Sequence, residues 1–469
     1  MILRRAGISP SGPVCIALLV AGVLSASSCS TSDEVVFEGA PPPSSTTPAA
    51  SNTTASPAST REAGAATTVT APITTRAATA TTESAETGPP TAPTLALSER
   101  RIEVLPGQIV VNDLRTRSVT ILGPGVGQVE PFASPGDDLQ QPTWSPDGTL
   151  VAWSRAGSEG FAVVVTSSRG GQAAQYTTAF AVFYMQWRPD GRAIALLGSP
   201  EPGEVGLAIL DLDSGTVTPL NSSSSYYLHW APGGEELITH IGGTRIEQLD
   251  PSTGNTSLFE ALDPVNSVFQ AAAWTPDGTS ILYVRPADPD SARAGDELVR
   301  RDISSGEIEV LAEGAGFFNF AVSPDGRAVA LSIRTLEGVT SMEIVDFASG
   351  RSEEIDAPLT LAWQWSPDSR KILLLGVGNQ AMSVGVYESG TITRYQEIIP
   401  TSTFLQNYLF FWSQYDLSHS LWAPDSSAFV FPAFDGVADA VFLQYLDEEL
   451  PILLGPGSMA VFSPAVANP

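Results

Sequence analysis

One five-residue phrase constrains this chain more than anything else in it. WSPDG runs from Trp144 to Gly148 and returns as WRPDG from Trp187, WAPGG from Trp230 and WTPDG from Trp274. It comes back as VSPDG from Val322, WSPDS from Trp365 and WAPDS from Trp422. Successive copies start 43, 43, 44, 48, 43 and 57 residues apart. A repeat in the forties is the spacing of a propeller blade, one four-stranded unit that buries its faces only against its neighbours.

The phrase has a physical reading. Pro at the second position of a type I turn, Asp behind it and Gly at the fourth suit the dihedrals of such a turn. An apolar run follows each copy, as in LVAW from Leu150, IALL from Ile194, ILYV from Ile281 and ILLL from Ile372. That is a turn leading into a buried strand. The preceding Trp ends the innermost strand, where a large flat ring packs between blades. Trp144, Asp147, Trp187, Asp190, Trp230, Trp274, Asp277, Asp325, Trp365, Asp368, Trp422 and Asp425 are therefore expected to be structural turn residues. Their carboxylates are expected to bond local backbone and take no part in chemistry.

The outer strands also recur. IVVNDL (109–114) and SVTIL (118–122) read as the two outer strands of a first blade. LAILDL (207–212) with TVTPL (216–220), and LVRRDI (298–303) with IEVL (308–311), repeat them. The first blade has no inner strand before it. SMAVFSP (458–464) is an eighth motif-like stretch and is expected to supply one, with RIEVL (101–105) as second strand. The fold class is then all-β, a propeller of four-stranded blades closed by strands from both termini. Eight blades are expected, with seven as the alternative. Closure of this kind leaves no free sheet edge.

Ahead of the repeats, residues 1–29 have the form of an export signal, with Arg4 and Arg5 before an apolar run from Val14 to Leu24. ASSC ends it at Cys29 and resembles a bacterial lipobox, with Ala26 where the pattern prefers Leu. The resemblance implies a lipid on Cys29 and anchoring to the cell membrane from outside the cytoplasm; plain secretion is the alternative. Residues 30–97 are expected to form a tether without a core; from 41 to 97 it is mostly Ala, Thr, Ser and Pro, and that part reaches about 40 Å if flexible. Residues 98–469 are the propeller domain.

Composition excludes several functions. The formal net charge is −28, which argues against nucleic acid. The two cysteines, Cys15 and Cys29, both fall in the leader, so the propeller has no disulfide and no thiol nucleophile. His229, His240 and His419 show no zinc-ligand spacing. No metal and no cofactor is expected.

The repeats resemble the WD40-like repeats of TolB-type propellers, which share the W-S-P-D-G signature, over about 99–469. They also resemble the propeller cap of prolyl-oligopeptidase-family peptidases, but no G-x-S-x-G elbow stands in a strand–turn–helix context. The resemblance implies an extracytoplasmic domain that binds partners at its loop faces or channel mouth. No catalytic residue is assigned. The expected function is a protein-interaction or ligand-binding module with an envelope protein partner. The alternative is an envelope enzyme, a glycan lyase or hydrolase, using carboxylates at the channel.

Function is sought where the repeat breaks. The widest spacing holds TSTFLQNYLFFWSQYDL (401–417). Leu405, Tyr408, Leu409 and Trp412 fit one helical face, with Thr403 as a cap. Phe404, Tyr408, Phe411, Trp412 and Tyr415 form a candidate binding patch for a protein, a glycan or a lipid surface; the alternative is a helix that plugs or buttresses its own blade. The next widest spacing holds PADPDSARAGDE (286–297), whose Asp288, Asp290, Asp296 and Glu297 are weak candidates for calcium.

Overall fold

Every motif copy folds into the same turn. Gly148 N donates to Ser145 O at 2.9 Å, Gly191 N to Arg188 O at 2.9 Å, and Gly326 N to Ser323 O at 2.8 Å. The fourth position sits at positive φ, 68° at Gly148 and 72° at Gly191, where a Cβ is a burden. Two copies carry Ser there, with φ of 58° at Ser369 and 60° at Ser426. Each hydroxyl accepts a backbone N–H from the preceding blade's turn: Asp325 N to Ser369 Oγ at 3.0 Å, and Asp368 N to Ser426 Oγ at 3.2 Å. The backbone strain is offset by a link between blades.

These turns organise eight antiparallel blades in a ring. The computed structural model describes residues 95–464, apart from 101–103, 125–136, 172, 263–269, 288–294, 335–339 and 358. Blade I comprises Asp138–Trp144, Leu150–Gly157, Gly160–Ser167 and Ala174–Thr178. Blade II begins with Ala181–Trp187, III with Tyr226–Trp230, IV with Ala273–Trp274, V with Phe317–Val322 and VI with Thr360–Trp365. Blade VII is formed by Ala428–Phe434, Asp439–Tyr445 and Ile452–Pro456, its inner position reduced to a bridge from Trp422 to Phe429. In each blade the second strand is almost wholly buried, as in Ala193–Ser199, while the outer strand is half in water, as in Thr216–Ser223.

Blade VIII closes the ring with Met459–Phe462, Ile109–Asp113 and Ser118–Leu122. The C-terminal strand pairs antiparallel with the first one, Ile109 opposite Phe462 and Asn112 opposite Met459. Joining the two ends in one sheet leaves the ring no open seam. One expectation is corrected. IVVND bonds the C-terminal strand directly, so it is the second strand and not an outer one, and RIEVL holds no place between them. The burial pattern says why: all five residues of Ile109–Asp113 are buried, as a second strand requires, whereas Ser118–Leu122 is half exposed. The described strands of this blade number three, and residues 101–103 of RIEVL lie outside the described residues.

Tryptophans stitch neighbouring blades. Trp230 Nε1 donates to Gln186 O at 3.1 Å, Trp365 Nε1 to Ala321 O at 3.0 Å and Trp422 Nε1 to Gln364 O at 3.0 Å. Trp144 Nε1 donates to Val461 O at 3.0 Å. In each case the acceptor lies one residue before the motif position of the preceding blade. Phe462 therefore occupies that position in blade VIII, and the stitch crosses the closure. Trp187 and Trp274 break the rule, since their buried Nε1 atoms have no partner.

Candidate functional site: a plugged central channel

The 57-residue spacing folds inward. Phe404–Tyr408 forms a π turn, Leu409–Phe411 a 3₁₀ turn and Trp412–Tyr415 a single α turn. It is not the regular helix that the apolar spacing implies. Thr403 makes no capping bond; Thr401 Oγ1 instead accepts Phe404 N at 3.2 Å and donates to Ser458 O at 2.6 Å. Phe404, Tyr408, Trp412 and Tyr415 are all buried. The expected surface patch is inverted: of the five named aromatics only Phe411 is exposed, at 44%, beside Phe410 at 39%. The physical reason is area. Each large aromatic removes on the order of 150–250 Å² from water when buried, and the ring's centre is the place able to take four of them.

The plug is hydrogen-bonded to the inner strands as though it were a strand itself. Leu228 N donates to Gln414 Oε1 at 2.8 Å, and Gln414 Nε2 donates to Leu228 O at 2.7 Å. Gln364 reverses the device: Leu421 N donates to its Oε1 at 2.7 Å and its Nε2 donates to His419 O at 3.2 Å. Gln414 satisfies both polar groups of Leu228 on a strand that has no neighbouring strand there, whereas Gln364 bridges two residues, accepting from Leu421 N and donating to His419 O. Tyr184 Oη donates to Gln414 O at 2.9 Å. Tyr415 Oη lies 2.8 Å from both Gln141 Oε1 and Phe183 O. Trp412 packs on Trp363 with ring centroids 4.1 Å apart. Burial pushes the Tyr184, Tyr408 and Tyr415 phenols upward, so all three stay neutral donors.

Beyond the plug the chain runs through Asp416, Leu417, Ser418, His419 and Ser420 along the motif end of the channel. Asp416 lines two cavities. The larger, about 280 Å³, is walled by Trp144, Trp187 and Phe462 and also lined by Gln186, Ser418 and His419. The smaller, about 110 Å³, is lined by His229, Gln270, Trp274 and Phe320 among others. Among the described residues no arginine or lysine lines either. Desolvation pushes the Asp416 carboxyl up to about 7, against a weaker opposing hydrogen bond from Gln364. Burial holds the His419 imidazole down to about 3 and that of His229 down to about 4, so both rings are neutral at physiological pH. His229 Nδ1 accepts Trp274 N at 3.0 Å, which assigns it to the blade III–IV contact.

The other residues singled out in the sequence take different places. Asp147 Oδ1 accepts Ser145 Oγ at 2.6 Å and Thr149 N at 3.0 Å. Asp190, Asp277, Asp325, Asp368 and Asp425 each accept the backbone N–H two residues on. These carboxylates hold turns. In the 286–297 loop, Asp288 and Asp290 lie outside the described residues, and Glu297 Oε1 accepts Arg285 Nε at 2.6 Å. Among the described residues no three His, Cys, Asp or Glu side chains gather as a metal site. Cys29, the leader and the tether up to residue 94 also lie outside the described residues. Asp416, Ser418, Gln364 and Gln414 escaped the reading of the sequence, and His419 was weighed there only as a zinc ligand. The one signal for them was their position in or beside the longest insertion.

No protein-family model matches the chain, and no curated protein matches it. Solved structures do. The dihydro-heme d1 dehydrogenase NirN, solved with DHE, is 15% identical over 78% of this chain and 77% of that chain, with a TM-score of 0.52. A eukaryotic initiation factor is 13% identical over 77% of this chain and 100% of that chain, with a TM-score of 0.51. This chain is an eight-bladed β-propeller. TolB from Acinetobacter baumannii is also among the matching structures, 15% identical over 70% of this chain and 82% of that chain, with a TM-score of 0.36. At such identities the likeness is one of fold, and the propeller carries no function by itself.

Proposed function

We propose that this chain is an extracytoplasmic propeller, held to the membrane by a lipid on Cys29, that acts as a protein-binding module of the cell envelope. The observation that carries the reading is the plug. Four aromatic side chains of the plug pack into the ring's centre, and Gln414 and Gln364 hydrogen-bond the insertion to the inner strands, which leaves the outer faces to meet a macromolecule. Phe410 and Phe411, exposed at the plug's edge, are the apolar residues offered there. The leader, the lipobox-like ASSC and the Ala/Thr/Ser/Pro tether support the location. Among the described residues no helix is long and apolar enough to cross a membrane.

The enzyme reading draws less support. Glycoside hydrolysis needs two carboxylates flanking one bond, and among the described residues lining the two cavities Asp416 is the sole acid. Affinity capture from envelope membranes with the full-length protein tests the module reading. A partner retained by the wild type and lost from Phe410→Ser/Phe411→Ser, with unchanged melting, is the expected result. Capture that ignores both residues, or turnover of a glycan that depends on Asp416, overturns it. Mass spectrometry of the mature N-terminus tests the lipid on Cys29.

A further inference from the structure

We propose that the central channel is a peptide-binding site and that residues 402–419 are its resident ligand, spliced into the inner strand of blade VII. The site does not depend on the envelope-partner reading. Two sets of hydrogen bonds carry the assignment, one at the ends of the segment and one along it.

The ends belong to a single strand cut in two. Pro400 bridges Ala433 and Trp422 bridges Phe429, both antiparallel. Phe434 N donates to Ile399 O at 2.8 Å, and Thr401 N to Pro432 O at 3.4 Å. On the other side of the insertion, Val430 N donates to Leu421 O at 2.8 Å and Ala423 N to Ala428 O at 2.8 Å. The inner edge of Ala428–Phe434 is therefore bonded at 434, 432, 430 and 428, every second residue, as one unbroken antiparallel ladder requires. Removing the 18 residues 402–419 sets Ser420 directly after Thr401 and opposite Phe431, with the ladder in register. Pro432 marks the exit. It has no N–H for Thr401 O, which accepts Leu405 N at 3.0 Å instead and so opens the first turn of the plug. The blade is complete without the segment, and what holds the segment is the channel.

Along the segment, the wall grips main chain. Tyr184 Oη donates to Gln414 O at 2.9 Å and Gln186 Nε2 to Leu417 O at 3.4 Å. Thr143 Oγ1 donates to Ser418 O at 3.4 Å and Gln364 Nε2 to His419 O at 3.2 Å. Side chains from the inner strands of blades I, II and VI thus satisfy four carbonyls within six residues. Every peptide has these carbonyls, so this part of the site recognises a chain as such. Selectivity comes from three side chains of the segment. Trp412 lies on Trp363 at 4.1 Å, Tyr415 meets Tyr184 edge-on at 5.2 Å, and the Gln414 amide takes both polar groups of Leu228. The ligand class is a peptide with two aromatic residues flanking a Gln.

The test uses the full-length protein lacking 402–419, with Thr401 joined to Ser420, and a synthetic peptide of the 402–419 sequence. Scanning calorimetry and isothermal titration are the readouts. The expected result is one peptide bound per deleted chain, with a melting temperature below that of the intact protein that rises as peptide is added. A deleted chain without a cooperative transition of its own gains one on refolding with the peptide. The intact protein binds no peptide, because its own segment holds the site. A scrambled peptide binds about tenfold more weakly or worse, and Tyr184→Phe in the deleted protein weakens the native peptide several-fold. A peptide that neither binds nor restores folding at up to about 100 μM overturns the proposal. So does equal binding of the scrambled peptide, or equal binding of the native peptide by the intact protein.

Discussion

Replacing Asp416 by Asn should stabilise the protein, and only above acid pH. The carboxyl ionises near 7 in the folded chain because burial penalises its charge, against 3.8 for the unfolded reference. Below about pH 4 both states hold the proton and the residue makes little difference. Between about 4 and 7 the unfolded chain has released its proton and the folded chain has not, so stability falls as pH rises. Above about 7 the full penalty remains. The difference between the two pKa values corresponds to about 4 kcal/mol at pH 8 as an upper limit. Water entering from the two flanking cavities screens the charge, which brings the expected figure to about 2 kcal/mol. Asn keeps the shape and removes the charge. Urea unfolding midpoints at pH 4 and pH 8 read the effect. The variant should exceed the wild type by about 2–4 kcal/mol at pH 8 and by less than about 1 kcal/mol at pH 4. An equal difference at both pH values, or a less stable variant at pH 8, refutes the placement of an uncompensated carboxyl in the channel.

Other outcomes follow from the same geometry. His229 and His419 are neutral in the folded chain, with pKa values held below the usual 6.5, so their stabilising contribution is complete above about 6.5 and is lost as pH falls toward 4. Each should cost about 2 kcal/mol at pH 5, and His419→Gln should flatten the acid limb of a melting-against-pH curve. Trp412→Ala should cost about 3–5 kcal/mol through the cavity left against Trp363, whereas Phe411→Ser should stay within about 0.5 kcal/mol. Urea titration separates the two. Trp230→Phe leaves Gln186 O without its indole donor and should cost about 1–3 kcal/mol more than Trp187→Phe, whose indole N–H has no partner to lose. Deleting residues 458–469 removes the inner strand of the closing blade, and calorimetry should then show a broadened or lost unfolding transition.

The blades were legible because their information is local. Pro146, Asp147 and Gly148 set a turn, and Leu150–Trp153 alternates with nothing because both faces are buried. The closing strand was legible for the same reason, since Met459–Phe462 is apolar and precedes a Pro like every other copy. RIEVL misled because its alternation suits a strand, while the pairing of IVVND is decided by a partner some 350 residues away in the chain. The plug was half legible. Its aromatics announced a helix of some kind, but whether Tyr408 and Trp412 face water or the ring's centre depends on the centre existing, and eight blades must close first. Asp416 and His419 were not legible at all. Neither has a motif, and their shifted ionisation comes from the closed ring that desolvates them, with His419 buried and Asp416 half-buried.

The most direct test of the account is hydrogen exchange across the 401–421 segment. If the insertion is seated in the channel, the amides of Leu405, Asp416, His419 and Leu421, and Leu228 opposite Gln414, exchange as slowly as the second strands of the blades. Exchange of that segment at the rate of the exposed hairpin turns, with the blade strands still protected, would mean an open channel and would contradict the account.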